Sequence, residues 1–380
     1  MTTFPLYIQL FNVVEIITKG DFQKISFMKW KEPHKLMLVI GKEGLTLRPK
    51  YPFILSLIML FFIIPNSSHA ETVNVKETDI YQQRLDLYKK MESVTHIPWY
   101  YIAATDQYER NIRTIRKDLP KPTGLSGIYF SPEIWSGVAN PNPEDTNPFS
   151  IQVFDGIGLD GNGDGLANSK DDFDVLYTFS QLLLKYGTDE NNIRIALWDY
   201  YRRDKTVGII TGIAKLYKKY GILDLDERHF PLPIYSNYSY RDTWGDRRGW
   251  GGLRIHEGTD IFAGYGVNVY STCYGIVEMK GWNRYGGWRI GIRDVNNTYH
   301  YYAHLNGYAK DVNIGDIVEP GQLIGYVGSS GYGPKGTSGK FPPHLHYGMY
   351  KDNGKTEWSF DPYPHLKRWE RETRQKLRKK

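Results

Sequence analysis

A chain of 380 residues is long enough for two or three domains, each able to bury its own hydrophobic core. The single cysteine, Cys273, excludes an intramolecular disulfide framework, and its place in an alternating apolar run favours a small core residue. The formal charge of +6 lies mostly in the first 70 residues, because the remainder has 40 basic and 38 acidic residues. Global charge therefore points to no class of partner.

The N-terminal region predicts an export signal. Basic residues up to Lys50 precede the apolar run 53–64, and the small-x-small sequence Ser68-His69-Ala70 follows. This order is typical of a secretory signal peptide, so we expect the mature protein to begin at Glu71. The run is shorter than the ~20 residues that span a bilayer. The alternative is an uncleaved signal that gives transient association with the membrane.

Both ends of the chain carry further expectations. Residues before the signal have no role in an exported protein, so we expect translation to begin downstream, for example at Met37 or near Leu45. Nucleic acid is not an expected partner outside the membrane. The basic tail, 365–380, is typical of a solvated helix end; the alternative is contact with an anionic polymer of the cell envelope.

Residues 78–225 predict an all-α domain. Apolar residues recur at helical spacing from Leu85 to Val94, and a second helix follows Pro98 and leads to Glu109 at its end. Three further helices are predicted over 173–186, which closes at Gly187, 193–201 and 207–220.

A calcium site is predicted between these helices. The segment 160–171 has oxygen-bearing residues at positions 1, 3, 5 and 12 and glycine at position 6, as an EF-hand loop requires. The ligands would be Asp160, Asn162, Asp164, the carbonyl of Leu166 and Asp171. Asp171 replaces the usual glutamate, and its shorter reach should weaken binding. The alternative is a metal-free turn.

The helical region resembles the lysozyme-like domain of lytic transglycosylases of the membrane-bound B type. The likeness rests on "IPWYYIAATDQYER", "GIYFSPEIW", the calcium loop and "DDFDVLYTFSQLLLKYG". It implies that Glu109 occupies the position of the family's catalytic acid. Arg110 and Tyr129 replace residues that shape the sugar site in that family, which favours a glycan-binding or positional role over muramidase activity.

The sequence changes character after the helices. Residues 226–238 are rich in proline and predict an interdomain linker. Alternation in 267–276 and 288–293, and a turn at Asn296-Asn297 that leads into 299–304, predict an antiparallel β sheet or sandwich over 239–364. The predicted fold class is therefore α+β.

Histidines at three places in the β region predict a metal site. His256 and Asp260 share one loop, and Gly258 there is poor helix, which excludes the helical H-E-x-x-H arrangement. His344 and His346 share one face of a strand, so one can bind the metal while the other reaches the substrate. One loop and one distant strand would supply three ligands and leave a position open for water. The remaining imidazoles, including His304, suit proton transfer near neutral pH.

This pattern resembles the lysostaphin and LytM type of zinc metallopeptidases, which cleave peptides of bacterial peptidoglycan. The resemblance covers about 239–364 and implies that zinc is bound by His256, Asp260 and His346, with His304 and His344 as the catalytic pair. The segment "YGPKGTSGKFPP" lengthens the turn before His344, and Tyr347-Gly348-Met349 stands where an acidic residue is common.

The whole chain looks most like the exported cell-wall endopeptidases of spore-forming bacteria that cut the stem peptide between L-alanine and D-glutamate. The resemblance implies a secreted enzyme of the cell wall, active in wall remodelling during sporulation. The alternatives are an inert wall-binding or scaffold protein and a bifunctional enzyme with muramidase activity through Glu109. Since all five metal and catalytic positions are filled, an enzyme is favoured.

Overall fold

The computed structural model describes residues 79–249 and 253–379, together with the backbone of three short strands nearer the N terminus. These strands are β1 (Ser26–Met28), β2 (Leu36–Ile40) and β3 (Glu43–Leu47), paired antiparallel in that order. The predicted signal peptide and its cleavage site lie outside the described residues. Within the described part of the chain, no helix is both long and apolar enough to cross a membrane.

The chain from Lys76 onward forms one compact unit that opens with seven helices. They are α1 (Ile80–Thr95), α2 (Trp99–Ile115), α3 (Pro132–Ser136), α4 (Pro148–Val153), α5 (Asp172–Leu184), α6 (Glu190–Tyr201) and α7 (Asp204–Tyr220). The helical prediction is confirmed.

Local sequence explains where these helices begin and end. The side chain of Asp79 accepts a hydrogen bond from Tyr81 N at the start of α1, and Asp189 caps α6 in the same way. Gly221 ends α7 in the left-handed conformation. The expectation that α2 ends at Glu109 was wrong: the helix continues to Ile115, because its apolar stripe extends to the buried Ile112.

The second part of the unit is built from β-strands and a C-terminal helix. The strands are β4 (Tyr238–Tyr240), β5 (Arg247–Arg248), β6 (Arg254–Ile255), β7 (Thr259–Ala263), β8 (Asn268–Tyr270), β9 (Gly275–Asn283), β10 (Gly287–Arg293), β11 (Thr298–Tyr308), β12 (Ile317–Val318), β13 (Leu323–Val327), β14 (His344–Asp352) and β15 (Glu357–Phe360). Helix α8 spans Tyr363–Lys379.

Ten of these strands form one antiparallel sheet, which confirms the predicted architecture. Its main path runs β12-β9-β10-β11-β14-β7-β4, β13 pairs with β11 and β8, and β15 pairs with β14. Strands β5 and β6 form a separate ribbon. The alternating segment 267–276 contributes to two strands rather than one. Strand β14, with β7 and β11 on its two sides, lies in the middle of the sheet.

The predicted linker is not a solvent-exposed spacer. Phe230, Leu232 and Ile234 are buried in the same core as the sheet. Apolar side chains at alternating positions between the prolines explain this packing. The basic tail is likewise only partly solvated, since Leu366 and Trp369 of α8 are buried in the same core.

Helices and sheet are joined by polar contacts within the compact unit. Arg203, next to α7, makes two hydrogen bonds to Asp352 at the end of β14, with distances of 2.8 and 2.6 Å. Asn111 of α2 donates to the carbonyl of Val295 at 2.9 Å. Since β14 begins with two of the predicted site histidines, these contacts tie the helical part to the strand that carries them.

Candidate active site

Three of the predicted metal ligands converge on one point. His256 Nε2 lies 2.9 Å from His346 Nδ1 and 3.1 Å from Asp260 Oδ1, and the last two atoms are 3.0 Å apart. Ligands bound tetrahedrally at ~2.0–2.1 Å lie roughly 3.3 Å from one another. The triangle is therefore the size that a small divalent cation requires.

Neighbouring strands and one backbone carbonyl hold these atoms in place. His346 of β14 lies directly opposite Asp260 of β7 in the sheet register. His256 precedes β7, and its Nδ1 lies 2.7 Å from the carbonyl oxygen of Thr243. Because a carbonyl only accepts, Nδ1 carries the proton and Nε2 presents a lone pair to the site.

The donor set fits zinc. Two imidazole nitrogens and a carboxylate oxygen are typical zinc ligands, and three ligands leave the fourth position for water. A single proton on His346 Nδ1 cannot serve both His256 Nε2 and Asp260 Oδ1 at once. A cation between these three atoms can contact all of them. The second oxygen of Asp260 accepts from Arg248 Nη2 at 2.6 Å, which fixes the plane of the carboxylate.

The two histidines predicted to be catalytic lie beside this triangle. Their ring centroids are 4.8 Å apart, and the ring of His304 lies 5.8 Å from that of His346. His304 Nδ1 lies 2.8 Å from the carbonyl of Ser330, and His344 Nδ1 lies 2.9 Å from that of Pro342. Each ring therefore has its proton on Nδ1 and keeps Nε2 as an acceptor. His344 Nε2 lies 3.7 Å from Asp260 Oδ1.

The position of His304 depends on an irregularity that the sequence does not reveal. Its φ is +62°, in the left-handed region that non-glycine residues rarely adopt. The pairing registers of β11 with β10 and with β13 both shift at Leu305, the next residue. Such a bulge redirects a side chain. Here it turns His304 toward His344 and His346 of β14.

Burial controls the charge of the site. It lowers the pKa of His344, and together with the neighbouring His344 and His346 rings it lowers the pKa of His304 well below its ordinary value. Burial would raise the pKa of Asp260, but hydrogen bonds to His256 and His346 hold it far below the ordinary range. Neutral rings of His304 and His344 thus lie beside an ionised Asp260 carboxylate, and a carboxylate must be ionised to bind a metal.

Sequence reasoning missed three residues that support the ligands. Thr243 lies in a segment without a motif, and Arg248 gave no signal beyond its charge. Gly258 lies within the recognised loop, but its role is steric: a Cβ at this position would lie 2.6 Å from the Tyr347 carbonyl oxygen and 2.7 Å from the His346 ring. Only a glycine lets the loop approach β14 so closely.

The site opens into a cleft of about 860 Å³. Aromatic rings form much of its wall: Tyr285, Tyr299, Tyr301, Tyr332, Phe341 and Tyr350. Tyr332 and Phe341 belong to the lengthened turn before β14, and their ring centroids lie 5.9 and 4.7 Å from that of His304. The extra turn therefore forms part of the groove wall, next to a predicted catalytic residue.

A second group of potential ligands lies in the core. Among the described residues, Cys273, Asp294 and His300 form the other cluster compact enough for a metal, and all three are buried. Burial opposes a charge on His300, but Cys273 and Asp294 raise its pKa to about 9. Arg228 also pairs with Asp294, at 2.9 Å. This cluster is a buried ion-pair network that ties the segment before β4 to the sheet.

Glu109 and the predicted calcium loop lie in the helical part, away from the sheet site along the chain. Glu109 Oε1 accepts from Tyr201 Oη at 2.5 Å, and burial raises the pKa of Glu109 to about 7. In the loop, Asp160 accepts from Gly163 N, and Asp171 caps α5 by accepting from Phe173 N. The acidic residues of the loop form no compact metal cluster among the described residues.

Three potential metal ligands beside two acceptor imidazoles, at the base of an open cleft, are the arrangement of a metal-dependent hydrolase. Comparison with known proteins agrees. Residues 254–361 match Peptidase family M23. The chain is 66% identical to the L-Ala–D-Glu endopeptidase of Bacillus subtilis over 320 residues, which cover 84% of this chain and 97% of that protein.

Two further matches are limited to the β region. Lysostaphin of Staphylococcus staphylolyticus is 35% identical over 115 residues, 30% of this chain and 22% of that protein. The solved catalytic domain of lysostaphin from Staphylococcus simulans is 31% identical and has a TM-score of 0.28, covering 35% of this chain and 92% of that one. By its full-length relative and its matched domain, the chain belongs to Peptidase family M23 and is an endopeptidase.

Proposed function

We propose that this chain is a zinc-dependent endopeptidase that cleaves bacterial peptidoglycan at the L-alanyl-D-glutamate bond of the stem peptide. The convergence of His256, Asp260 and His346 within 3.1 Å, beside two imidazoles with free Nε2 atoms, carries this proposal. The bond is suggested by the relative from Bacillus subtilis, whose sequence matches over nearly its whole length.

The roles of the site residues follow from their contacts. A zinc ion held by the three ligands would supply a Lewis acid and lower the pKa of its water. Nε2 of His304 or His344 would take a proton from the attacking water, because both rings are neutral and keep Nδ1 protonated against a carbonyl. The ring that takes this proton becomes a donor at Nε2, so it would stabilise the oxyanion that forms at the amide carbon and then pass the proton to the leaving amine. The other ring would orient the attacking water by accepting a hydrogen bond at its own Nε2.

The location of the enzyme is part of the proposal. A peptidoglycan substrate requires action outside the cytoplasm, and the predicted signal peptide provides export. We place the mature enzyme, from Glu71, in the cell wall, with a role in spore-wall remodelling supported by the whole-chain resemblance. N-terminal sequencing of the secreted protein tests this assignment; a mature chain that retained residues before Glu71 would contradict it.

Calcium binding by the loop 160–171 is proposed on its EF-hand pattern. In the structure, the side chain of Asp160 accepts from Gly163 N and that of Asn162 accepts from Asp164 N. The bound ion would replace these N–H groups as the partner of both side chains. Calcium should then raise the melting temperature of the wild type and leave that of Asp160→Ala unchanged. Equal responses of both proteins to calcium would count against the site.

The main experiment is a digest of purified peptidoglycan with the mature protein, with and without a chelator. New amino termini on glutamate that vanish with the chelator support the proposal. New reducing ends would favour a muramidase through Glu109, whose raised pKa suits a general acid. Binding without any cleavage would favour an inert wall-binding protein.

Variants separate chemistry from metal binding. His304→Ala and His344→Ala should retain zinc and lose turnover by about 10²-fold or more, the usual contribution of an acid–base group. Arg368→Gln on the exposed face of α8 is the matched control and should behave as wild type. Full activity in the His304→Ala, His344→Ala double variant would refute the assigned roles.

A further inference from the structure

Two arginines on the wall of the catalytic cleft are not used by the site chemistry. Arg254 of β6 and Arg289 of β10 both line the cleft. Neither forms an ion pair with a carboxylate among the described residues, and the Nε atom of each is buried without a hydrogen-bond partner there. A guanidinium that lines a cleft without a carboxylate partner favours an anionic ligand there.

Aromatic rings hold both guanidinium groups in place. Arg254 Cζ lies 5.4 Å from the ring centroid of Tyr285 and 5.9 Å from that of Tyr332, and its Nη2 donates to Tyr332 Oη at 2.9 Å. Arg289 Cζ lies 5.9 Å from the ring of Tyr301. Stacking of this kind fixes the planar fork of an arginine before a ligand arrives.

The same rings connect the arginines to the site. Tyr301 lies 5.9 Å from the ring of His346, and Tyr332 lies 5.9 Å from the ring of His304. A single aromatic ring therefore separates each guanidinium from an imidazole of the site. Successive Cα atoms of a peptide are ~3.8 Å apart. When the scissile bond lies at the site histidines, the side chain of the neighbouring residue can therefore reach past the aromatic ring to a guanidinium.

The acidic residues of the cleft do not neutralise these two arginines. Glu357 is paired with Arg293 and Lys205, each at 2.7 Å. Glu257 accepts from Tyr350 Oη at 3.2 Å, and Asp260 belongs to the metal triad. Glu257 keeps its charge, but no ion pair joins it to Arg254 or Arg289 among the described residues.

We infer that Arg254 and Arg289 form a carboxylate-binding subsite that recognises the free carboxylate of the acidic residue next to the cleaved bond. The inference rests on the proposed function. A glutamate within a peptide uses one of its two carboxyl groups in the chain and keeps the other free. Arginine forks bind such a group through paired, charge-assisted hydrogen bonds. The enzyme thereby selects an acidic stem peptide over its amidated form.

The test compares two synthetic peptides that contain the alanyl-glutamate bond and differ only in whether the free carboxylate is a carboxylate or a carboxamide. The wild type should prefer the carboxylate peptide in kcat/KM by about 10- to 100-fold, as loss of charge-assisted hydrogen bonds predicts. Arg254→Gln, Arg289→Gln should reduce this preference to a few-fold, mainly by slowing cleavage of the carboxylate peptide.

Control variants distinguish recognition from structural damage. The double lysine variant, Arg254→Lys, Arg289→Lys, keeps the charge without the fork and should keep part of the preference. Arg368→Gln should leave it unchanged. Zinc content, measured for every variant, should equal that of the wild type.

The outcomes separate this inference from the proposed function. If the wild type cleaves the carboxylate peptide but the glutamine variants slow both peptides equally, the subsite is wrong and the bond assignment stands. An equal rate of the wild type on both peptides also overturns the subsite. If neither peptide is cleaved while peptidoglycan is cut elsewhere, the bond assignment fails and the subsite fails with it.

Discussion

The ion pair between Arg203 and Asp352 gives the sharpest prediction about stability. Asp352 ends β14, is fully buried and receives both Nη atoms of Arg203. Replacement of Arg203 by Met would remove the charge and keep much of the side-chain volume. The carboxylate would then stay buried with only the Gly354 N–H at 2.8 Å and Lys205 Nζ at 4.0 Å as described partners.

The expected cost follows from that geometry. Loss of one partner of a buried pair costs roughly 3–5 kcal/mol, because the other charge remains without compensation. Lys205 offsets part of the loss, so we expect Arg203→Met to lower the free energy of unfolding by about 2–4 kcal/mol. Arg203→Met combined with Asp352→Asn removes both charges and should cost less than Arg203→Met alone.

Urea denaturation of the zinc-loaded protein measures these differences. The control is Arg202→Met, which breaks the exposed contact with Asp199 and should cost at most about 1 kcal/mol. The reasoning fails if Arg203→Met costs no more than Arg202→Met. It also fails if removal of both charges is as damaging as removal of Arg203 alone, since the uncompensated carboxylate would then not be the cause.

Three further outcomes are expected. Gly258→Ala should weaken zinc binding without loss of a ligand, because the new Cβ would displace the His346 ring. Mass spectrometry measures the zinc content, and a content equal to that of the wild type would contradict the prediction. Zinc should raise the melting temperature of the metal-free wild type but not of His346→Ala, and an equal rise in both would place the metal elsewhere. Burial raises the pKa of Glu109 from 4.5 to about 7, so its protonated form favours the folded state. The stability that depends on this proton is present below pH 4.5 and is lost as the pH rises through about 7, by up to about 3 kcal/mol. Glu109→Gln should flatten this part of the profile of unfolding free energy against pH, measured by denaturation. An unchanged profile would contradict the assignment.

The longer helices and a few of the strands could be predicted because their signals are local. The apolar period of 3.6 residues marked α1, α5, α6 and α7. The end of α5 was less exact: Gly187 was expected to close this helix, which ends at Leu184. The segment 226–238 shows where local signals stop. Proline content describes the conformation of residues 226–238, but it does not show that Phe230 and its apolar neighbours fill a core made by distant strands.

For the candidate site, too, some features could be predicted from the sequence and others could not. Residue types and spacing pointed to His256 and Asp260 of one loop and to His344 or His346 of a distant strand as metal ligands. The family resemblance assigned His346 to the metal and His304 and His344 to catalysis. The structure brings all five together. The roles of His304 and His344 stay predictions until turnover is measured.

The sequence by itself determined the elements, the family pattern and the donor atoms available for a metal. Tertiary structure decided how those atoms meet: the register that sets His346 opposite Asp260, the bulge that turns His304 inward, and the carbonyls that fix each imidazole proton. It also decided that Arg254 and Arg289 both line the cleft. Contacts of this kind join residues far apart in the chain, and no local pattern encodes the pairing of one distant strand with another.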